Sequence, residues 1–579
     1  MTPQKLNTRI SSAMLSLVLL LTVATGTAQE YFKKHTEINP YNFEIVKERS
    51  FEHAAVTSAH PLASMVGAAI MKDGGNAFDA AIAVQFALAV VHPAAGNIGG
   101  GGFMLARTNK GTLIGIDYRE AAPAASSRDM YLDEKGNAIE AKSKDGALAS
   151  GIPGSVAGMF STLAYAKLKM AQLIQPAYEL AEYGFILTEK EARSMNSERA
   201  NLLKYSSAPS AYTAKLVWKA GDTLFQHELA GTLKRIQLKG LAGFYEGATA
   251  EFIVKEMQHG AGIISTTDLK NYHPKFRKPI EFDYKKHHVI SFAPPSSGGI
   301  LLAQMFKMIA PYEIGKMGHN TTESVSLMVE AQRRAYADRA EHMGDPDFWK
   351  VPTRTLISDA YAKQRMQDYQ PGIAGNSKTI QAGVIKESEE TTHFSVIDKE
   401  GNMVSITTTL NGSYGNRTVV AGAGFILNNE MDDFSVKPGV PNMFGAIGGK
   451  ANAIEPGKRM LSSMTPTLVT VNDKAYLTIG SPGGTTIPNQ VYEGIVNMID
   501  HKMTLKNAID GSRFHHQWIP DAIGVEPDFP EATTEALKKM GYIVTKRGYF
   551  GRMDGIRILP TGKREAAGDK RGDDSVAGY

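Results

Sequence analysis

Apolar positions recur at helical spacing from Ala63 to Lys72 and again from Ala77 to Val91. The second stretch carries Ala80, Ala81, Ile82, Ala83, Val84, Phe86, Ala87, Leu88, Ala89 and Val90 and is apolar on every face, so it predicts a helix buried all round. Asn76 and Asp79 are residue types that cap such a helix at its start, and His92-Pro93 ends it. A glycine run from Gly96 to Gly102 then leads into predicted strands at Phe103–Arg107 and Leu113–Tyr118. The region from about 150 to 360 reads mainly as helices, one from Thr322 to Glu341, broken by a strand over His288–Phe292 and the corner Pro294–Gly299. Residues 364–390 are polar and are expected to be exposed and mobile.

Past that stretch the period changes to that of strands. A hairpin is predicted between Thr392–Asp398 and Asn402–Leu410, and a second between Thr467–Val471 and Ala475–Ile479 across Asn472-Asp473-Lys474, followed by a helix over Pro488–Ile499. If the first hairpin turns at Lys399-Glu400-Gly401, Thr391 faces Thr409, close enough for their hydroxyls to meet. No repeat of 20–50 residues is present.

Composition narrows the classes. The 579 residues are 43% hydrophobic and 21% charged, which suits a large folded core and argues against disorder. The net charge of +4 is small for this length and the basic residues are dispersed, which argues against nucleic-acid binding. Lys5 and Arg9, the apolar Ala13–Ala24 and the small residues Gly26-Thr27-Ala28 have the order of a secretory signal, so residues 1–28 are expected to be removed and the protein exported, periplasmic or secreted. No later segment is apolar enough to span a membrane. The chain has no cysteine, which excludes thiol catalysis and thiolate metal sites.

Candidate chemistry centres on Glu390-Thr391. A threonine hydroxyl needs a base, and an N-terminal threonine supplies its own in the α-amino group, with a reference pKa of roughly 7.7–8.0. On the hairpin alone an ordinary β-branched strand residue is the stronger reading. Three further clusters shift that balance. Ser481-Pro482-Gly483-Gly484 lies between a strand and a helix, where glycine amides can hold an oxyanion, or merely form a turn. Asn428–Phe434 crowds Glu430, Asp432 and Asp433 together, a set that calls for a cation unless it is a solvated loop. Ser462-Ser463, just after Arg459, could hold a carboxylate or simply cap a turn. Adjacent histidines at His287-His288 and His515-His516 point to opposite strand faces and make poor metal pairs.

These residues resemble the bacterial γ-glutamyltranspeptidases (glutathione hydrolases), which are N-terminal nucleophile hydrolases. The resemblance runs through Gly75–Ala81, His92-Pro93 with the glycine run, Asp117–Glu120, Pro294–Gly299 and Arg333–Arg339, and then through Thr391–Asp398, Asn428–Phe434, Leu461–Met464, Gly480–Gly484 and Arg513–Trp518. It implies an α+β, four-layer αββα sandwich and a precursor that cuts itself at Glu390-Thr391 into a large subunit (29–390) and a small catalytic one (391–579) that stay together. It implies Thr391 as nucleophile, Thr409 as its support, and Gly483 and Gly484 as oxyanion donors. The substrate's α-carboxylate would meet Arg119, Ser462 and Ser463, and its α-amino group Asn411, Glu430 and Asp433. The implied substrates are glutathione and other γ-glutamyl compounds, with water, amino acids or dipeptides as acceptors and no cofactor or metal.

Two positions depart from the family pattern. Phe444 stands in the lid-like loop Pro438–Gly449 where many members have tyrosine, and Glu390 precedes the cut where an amide is also familiar. A related acylase or poly-γ-glutamate hydrolase on the same fold stays open as a rival, disfavoured by the presence of the lid residues. A non-catalytic, uncleaved solute-binding protein is the rival of another class, and it would need Thr391 or the two glycines to be lost.

Overall fold

The computed structural model describes residues 30–380, 391–437 and 449–579. Two seven-stranded antiparallel sheets lie face to face. The first runs in the order Glu48–Phe51, Arg564–Gly568, Asp554–Ile558, Lys474–Gly480, Thr467–Val471, His287–Ser291, Ile280–Tyr284. The second runs Ser575–Gly578, Ala55–Ser58, Thr392–Ile397, Met403–Thr409, Gly101–Arg107, Leu113–Asp117, Lys275–Phe276. Between the sheets lies an apolar layer that includes Phe103, Leu105, Phe292, Ile397, Leu468 and Ile556. Helices Pro61–Lys72 and Ala77–Val91 cover the outer face of the second sheet, and Gly298–Ile309 and Thr486–Ile499 cover that of the first. This is the four-layer αββα sandwich that the resemblance implies.

Every residue of Ala77–Val91 is buried, and Asn76 and Asp79 form the reciprocal cap at its start. The Asn76 side chain accepts from the Phe78 and Asp79 amides at 2.9 and 3.1 Å, and Asp79 accepts from the Asn76 amide at 2.8 Å. Each large apolar side chain buried in such a helix contributes roughly 1.5–3 kcal/mol. The helix start is also bolted to the first hairpin, because the Ala77 amide donates to Asp398 at 3.0 Å. Asp398 in turn accepts from the Glu400 and Asn402 amides, each at 2.9 Å, which fixes the hairpin turn and with it the register.

Chain segments from before and after Thr391 interleave in both sheets. Thr392–Ile397 is hydrogen-bonded on one side to Ala55–Ser58 and on the other to Met403–Thr409, so it is central in its sheet. The C-terminal strand Ser575–Gly578 pairs with Ala55–Ser58. A cut before Thr391 therefore leaves both pieces held by sheet ladders and a shared core.

The second hairpin differs from expectation in its turn. Lys474 belongs to the returning strand, and only Asn472 and Asp473 make the turn, both at positive φ (51° and 58°) as a two-residue hairpin turn requires. The signal segment, Glu390 and Phe444 lie outside the described residues. Among the described residues, no helix is long and apolar enough to cross a membrane.

Candidate active site

Thr391 sits at the head of the central strand and is only 5% exposed. The register Thr392↔Thr408 through Ile397↔Met403, continued by one residue, sets Thr391 opposite Thr409, as the turn position predicts. Thr409 is held from its other side by Gly101, its ladder partner on the next strand. Gly100 and Gly102 let this backbone come close, because a Cβ at either would collide with the carbonyl oxygens of Thr409 and Thr407. That is the physical use of the glycine run: it packs a strand against its neighbour with no side chain between.

Asn411 follows in a left-handed conformation (φ 72°), its amide donating to the Thr409 hydroxyl at 2.7 Å. Asn411 Nδ2 donates to the Asn429 carbonyl at 3.0 Å, and the Asn429 side chain accepts from the Gly412 amide at 2.8 Å. Asn428 ties the next segment down: its Nδ2 donates to the carbonyls of Gly99 and Gly151, and its Oδ1 accepts from the amides of Gly151 and Glu430. Glu430–Asp433 is thereby fixed as a short 3-10 turn beside Thr409.

The cation that the acidic turn calls for is Arg119. It emerges just after the strand Leu113–Asp117, is 1% exposed, and pairs through Nη1 with Glu430 at 2.7 Å and through Nη2 with Asp433. A third carboxylate, Glu120, lies 3.6 Å from Nη1. Burial works against the guanidinium charge, but Glu430, Asp433 and Glu120 outweigh it and raise the Arg119 pKa. Burial also pushes Glu430 well above the usual carboxylate range; Glu120 and Asp433 add to that, while Arg119 opposes it. Glu120 is pushed up to about 8, again chiefly by burial, with Arg119 opposing. Asp433 is raised for the same reason. Asp432 is not part of this set: it points away and accepts from the Ser143 hydroxyl.

Ser462 and Ser463 border the same cluster, next to Leu461, whose carbonyl accepts from Arg119 at 3.5 Å. The Ser463 hydroxyl accepts from Arg339 at 3.0 Å, and Ser462 is fixed by its backbone to Pro295 and Ser297. Arg459 turns elsewhere, to Asp117 at 2.6 Å and the His273 carbonyl at 2.8 Å, so it supports the strand that delivers Arg119 and does not enter the pocket. Arg339 is the second buried cation here, a residue whose role spacing did not reveal, and its charge favours the ionised form of Asp433.

The strand Lys474–Gly480 crosses the nucleophile strand from the opposite sheet. A Cβ on Gly480 would lie 2.2 Å from the His393 ring, so the glycine makes room for that ring two residues from Thr391. His393 is fully buried, bonded to the hydroxyls of Thr407 (2.9 Å) and Ser395 (3.1 Å), and burial holds its pKa down to about 3, so it is a neutral positioning group. Beyond Gly480 the chain turns through Gly483 (φ 129°) and Gly484 (φ 54°) into the helix Thr486–Ile499. The Gly483 carbonyl is taken by the Thr486 amide and hydroxyl at 3.0 and 2.6 Å. Among the described residues neither glycine amide donates a hydrogen bond, which leaves two donors at a helix start for a developing oxyanion.

The family model described as Gamma-glutamyltranspeptidase matches residues 63–579. The chain belongs to the γ-glutamyltranspeptidase family. It is 43% identical over 535 residues to the glutathione hydrolase proenzyme of Escherichia coli (strain K12), covering 90% of this chain and 91% of that one. Among solved structures, a cephalosporin acylase from Bacillus halodurans superposes with a TM-score of 0.81 at 25% identity, covering 93% of this chain and 98% of that one. A Helicobacter pylori γ-glutamyltranspeptidase chain superposes with a TM-score of 0.55 at 41% identity, covering 59% of this chain and 97% of that one.

Within this γ-glutamyltranspeptidase, Arg119, Glu430 and Asp433 form one charged cluster, Thr409 and Asn411 adjoin it, and Ser462 and Ser463 border it. Gly480, three residues ahead of Gly483, lies against the ring of His393, two residues past Thr391. The polar stretch before the cut is not free along its whole length. Ser377 and Ile380 are buried (2% and 5% exposed) against Trp518, because backbone carbonyls and a hydroxyl bind there, a contact that polar composition does not signal.

Proposed function

We propose that Thr391 is both the agent of self-cleavage and the catalytic nucleophile of this γ-glutamyltranspeptidase and glutathione hydrolase. In the precursor the Thr391 hydroxyl attacks the Glu390 carbonyl carbon. The C–N bond breaks, the carbonyl becomes an ester on Oγ1, and the proton ends on the freed amine. Water then splits the ester, leaving Glu390 as a carboxylate and Thr391 as a new N-terminus. The products are a large chain, 29–390 after signal removal, and a small chain, 391–579.

In the mature enzyme the α-amino group takes the hydroxyl proton as Oγ1 attacks the γ-amide of glutathione or another γ-glutamyl compound. Gly483 and Gly484 amides receive the oxyanion, and the amine leaves with the proton, cysteinylglycine in the case of glutathione. Water, an amino acid or a dipeptide then takes the γ-glutamyl group from the ester. Arg119, with Ser462 and Ser463, binds the substrate's α-carboxylate. Glu430, Asp433 and Asn411 bind its ammonium. The signal-like residues 1–28 support export to the periplasm or beyond.

The observation that carries this reading is the buried Arg119–Glu430–Asp433 cluster beside Thr409 and hence beside Thr391. An acylase of non-amino diacid side chains, suggested by the cephalosporin acylase likeness, has no use for two carboxylates at that place. The test is a denaturing gel with N-terminal sequencing of the purified protein. Two chains are expected, the smaller beginning Thr-Thr-His-Phe, and Thr391→Ala is expected to give one inactive chain. Active protein that stays one chain sinks the mechanism, and a preference for glutaryl over γ-glutamyl amides sinks the substrate assignment.

A further inference from the structure

Eleven residues before Thr391 the chain is tied down. Ile380 and Ser377 both give their backbone carbonyls to the indole Nε1 of Trp518, at 2.7 and 3.1 Å. The Ser377 hydroxyl donates to the Trp518 carbonyl at 2.7 Å, and its amide to Asp521 Oδ2 at 2.8 Å. Arg333, from the helix Thr322–His342, donates to both the Ser377 hydroxyl and Asp521. Trp518 is held in a left-handed conformation (φ 73°), its amide donating to His516 Nδ1 at 3.1 Å, and His516 Nε2 reaches Asp521 at 3.3 Å. Slightly upstream, the Gly375 amide donates to Glu330 at 3.0 Å, and Glu330 also accepts from the Tyr542 hydroxyl at 3.0 Å. None of these groups belongs to the head-group pocket or the oxyanion turn.

We propose that Trp518, Ser377 and Arg333 form a latch that positions the segment before Thr391 for self-cleavage, which makes them positioning residues for maturation and not for turnover. The proposal rests on the reading of Thr391 as a self-cleaving nucleophile. Its physical content is a shortened tether. The next anchor upstream, the Gly375 amide on Glu330, leaves 15 residues, 376–390, before Thr391, whereas Ile380 leaves only ten, 381–390, between anchor and nucleophile. Ring-closure probability falls with roughly the 3/2 power of length, so anchoring at Ile380 favours any one closed arrangement of the scissile segment by about twofold. Immobilising the Ser377–Ile380 backbone also fixes the direction from which that segment departs. The latch spans the cut: Arg333, Ser377 and Ile380 end up in the large chain and Trp518 and Asp521 in the small one.

The decisive experiment follows precursor conversion on denaturing gels over time in the full-length protein carrying Trp518→Phe, which keeps the ring and loses the N–H, or Ser377→Ala. Conversion is expected to slow about twofold or more in each. Ser377→Thr, which keeps the hydroxyl, is expected to restore the wild-type rate. The matured fraction, normalised to its small chain, is expected to keep the wild-type kcat and KM. The same substitutions placed in Thr391→Ala protein report on folding alone, and their unfolding midpoints are expected to stay near that of Thr391→Ala. Conversion at the wild-type rate overturns the latch. So does slow conversion accompanied by a matching fall in midpoint or in mature kcat, since that marks a merely structural contact. If wild-type protein itself is not cut before Thr391, the self-cleavage reading fails first and takes the latch with it.

Discussion

Arg119→Met tests the charged cluster most directly. The substitution keeps much of the side chain's length and apolar stem but removes the guanidinium that pairs with Glu430 and Asp433 and lies near Glu120. Hydrogen bonds to charged groups contribute about 1.5–3 kcal/mol each. Losing the two-pronged contact proposed to the substrate carboxylate therefore costs at least about 3 kcal/mol, so kcat/KM for a γ-glutamyl anilide should fall by a hundredfold or more. Stability should fall too, because removing one partner of a buried pair costs about 3–5 kcal/mol. The carboxyls can escape part of that cost by taking up protons, so the loss should be smaller at pH 5 than at pH 8. Arg119→Met/Asp433→Asn should then recover stability relative to the single variant without recovering activity, since the orphaned charge is gone but the cation is still missing. The assays are anilide turnover by the processed enzyme and unfolding midpoints at the two pH values. A kcat/KM within threefold of wild type, or stability losses that simply add in the double variant, would refute the assignment of Arg119 as the shared partner.

Gly483→Ala places a Cβ at φ 129° within 2.6 Å of the Thr486 hydroxyl and 2.7 Å of Gln490 Nε2, so the turn must move; kcat should fall by about 10²–10³, the usual cost of a lost oxyanion donor, with little change in KM. A kcat loss below threefold would remove Gly483 from the oxyanion site. Glu120, pushed up to about 8 from 4.5, keeps a proton in the folded state that the unfolded chain releases, so its contribution to stability is intact below pH 4.5 and declines as pH rises toward 8. In the Thr391→Ala background, Glu120→Gln should therefore gain in unfolding midpoint over its parent from pH 5 to pH 8, and a gap independent of pH would contradict the raised carboxyl.

What the sequence made legible was local. The buried helix Ala77–Val91 announces itself by an unbroken apolar run with Asn76 and Asp79 at its start. The Thr391–Thr409 pairing follows from one tight turn, because register in a hairpin is set at the turn and Asp398 holds it there. The acidic turn was readable as needing a cation, but not which one: Arg119 and Asp433 are 314 positions apart, and the nearer Arg459 belongs to Asp117. The family resemblance, not spacing, pointed to Arg119. His393 reads as one more residue in an alternating strand, and its contact with Gly480 depends on how two sheets stack, which periodicity within one strand does not encode. The latch was hidden for a different reason: Ser377 and Ile380 contribute mainly backbone groups, and backbone carbonyls have no residue-type signature.

The Arg119–Glu430–Asp433 cluster carries, inverted, the charge pattern of the head group proposed for it. Arg119 supplies one buried positive charge to the carboxyls of Glu430 and Asp433, which burial raises and Arg119 holds down. In the proposed binding mode a zwitterionic amino-acid head group exchanges partners with this set: its carboxylate takes Arg119 while its ammonium takes the released carboxylates, and no charge is left unpaired. A glutaryl group brings the carboxylate alone, so it competes for Arg119 and strands Glu430 and Asp433. Two unit charges about 4 Å apart interact by about 4 kcal/mol at an effective dielectric constant near 20, and if half is recovered by protonation the remaining half still gives about thirtyfold discrimination. Selectivity against the simpler diacid then needs no steric exclusion of it. It follows from the cost of removing a cation from two buried carboxylates without supplying another, and from Asn428 and Asn429, which fix the loop carrying those carboxylates so that it cannot relax away from the loss.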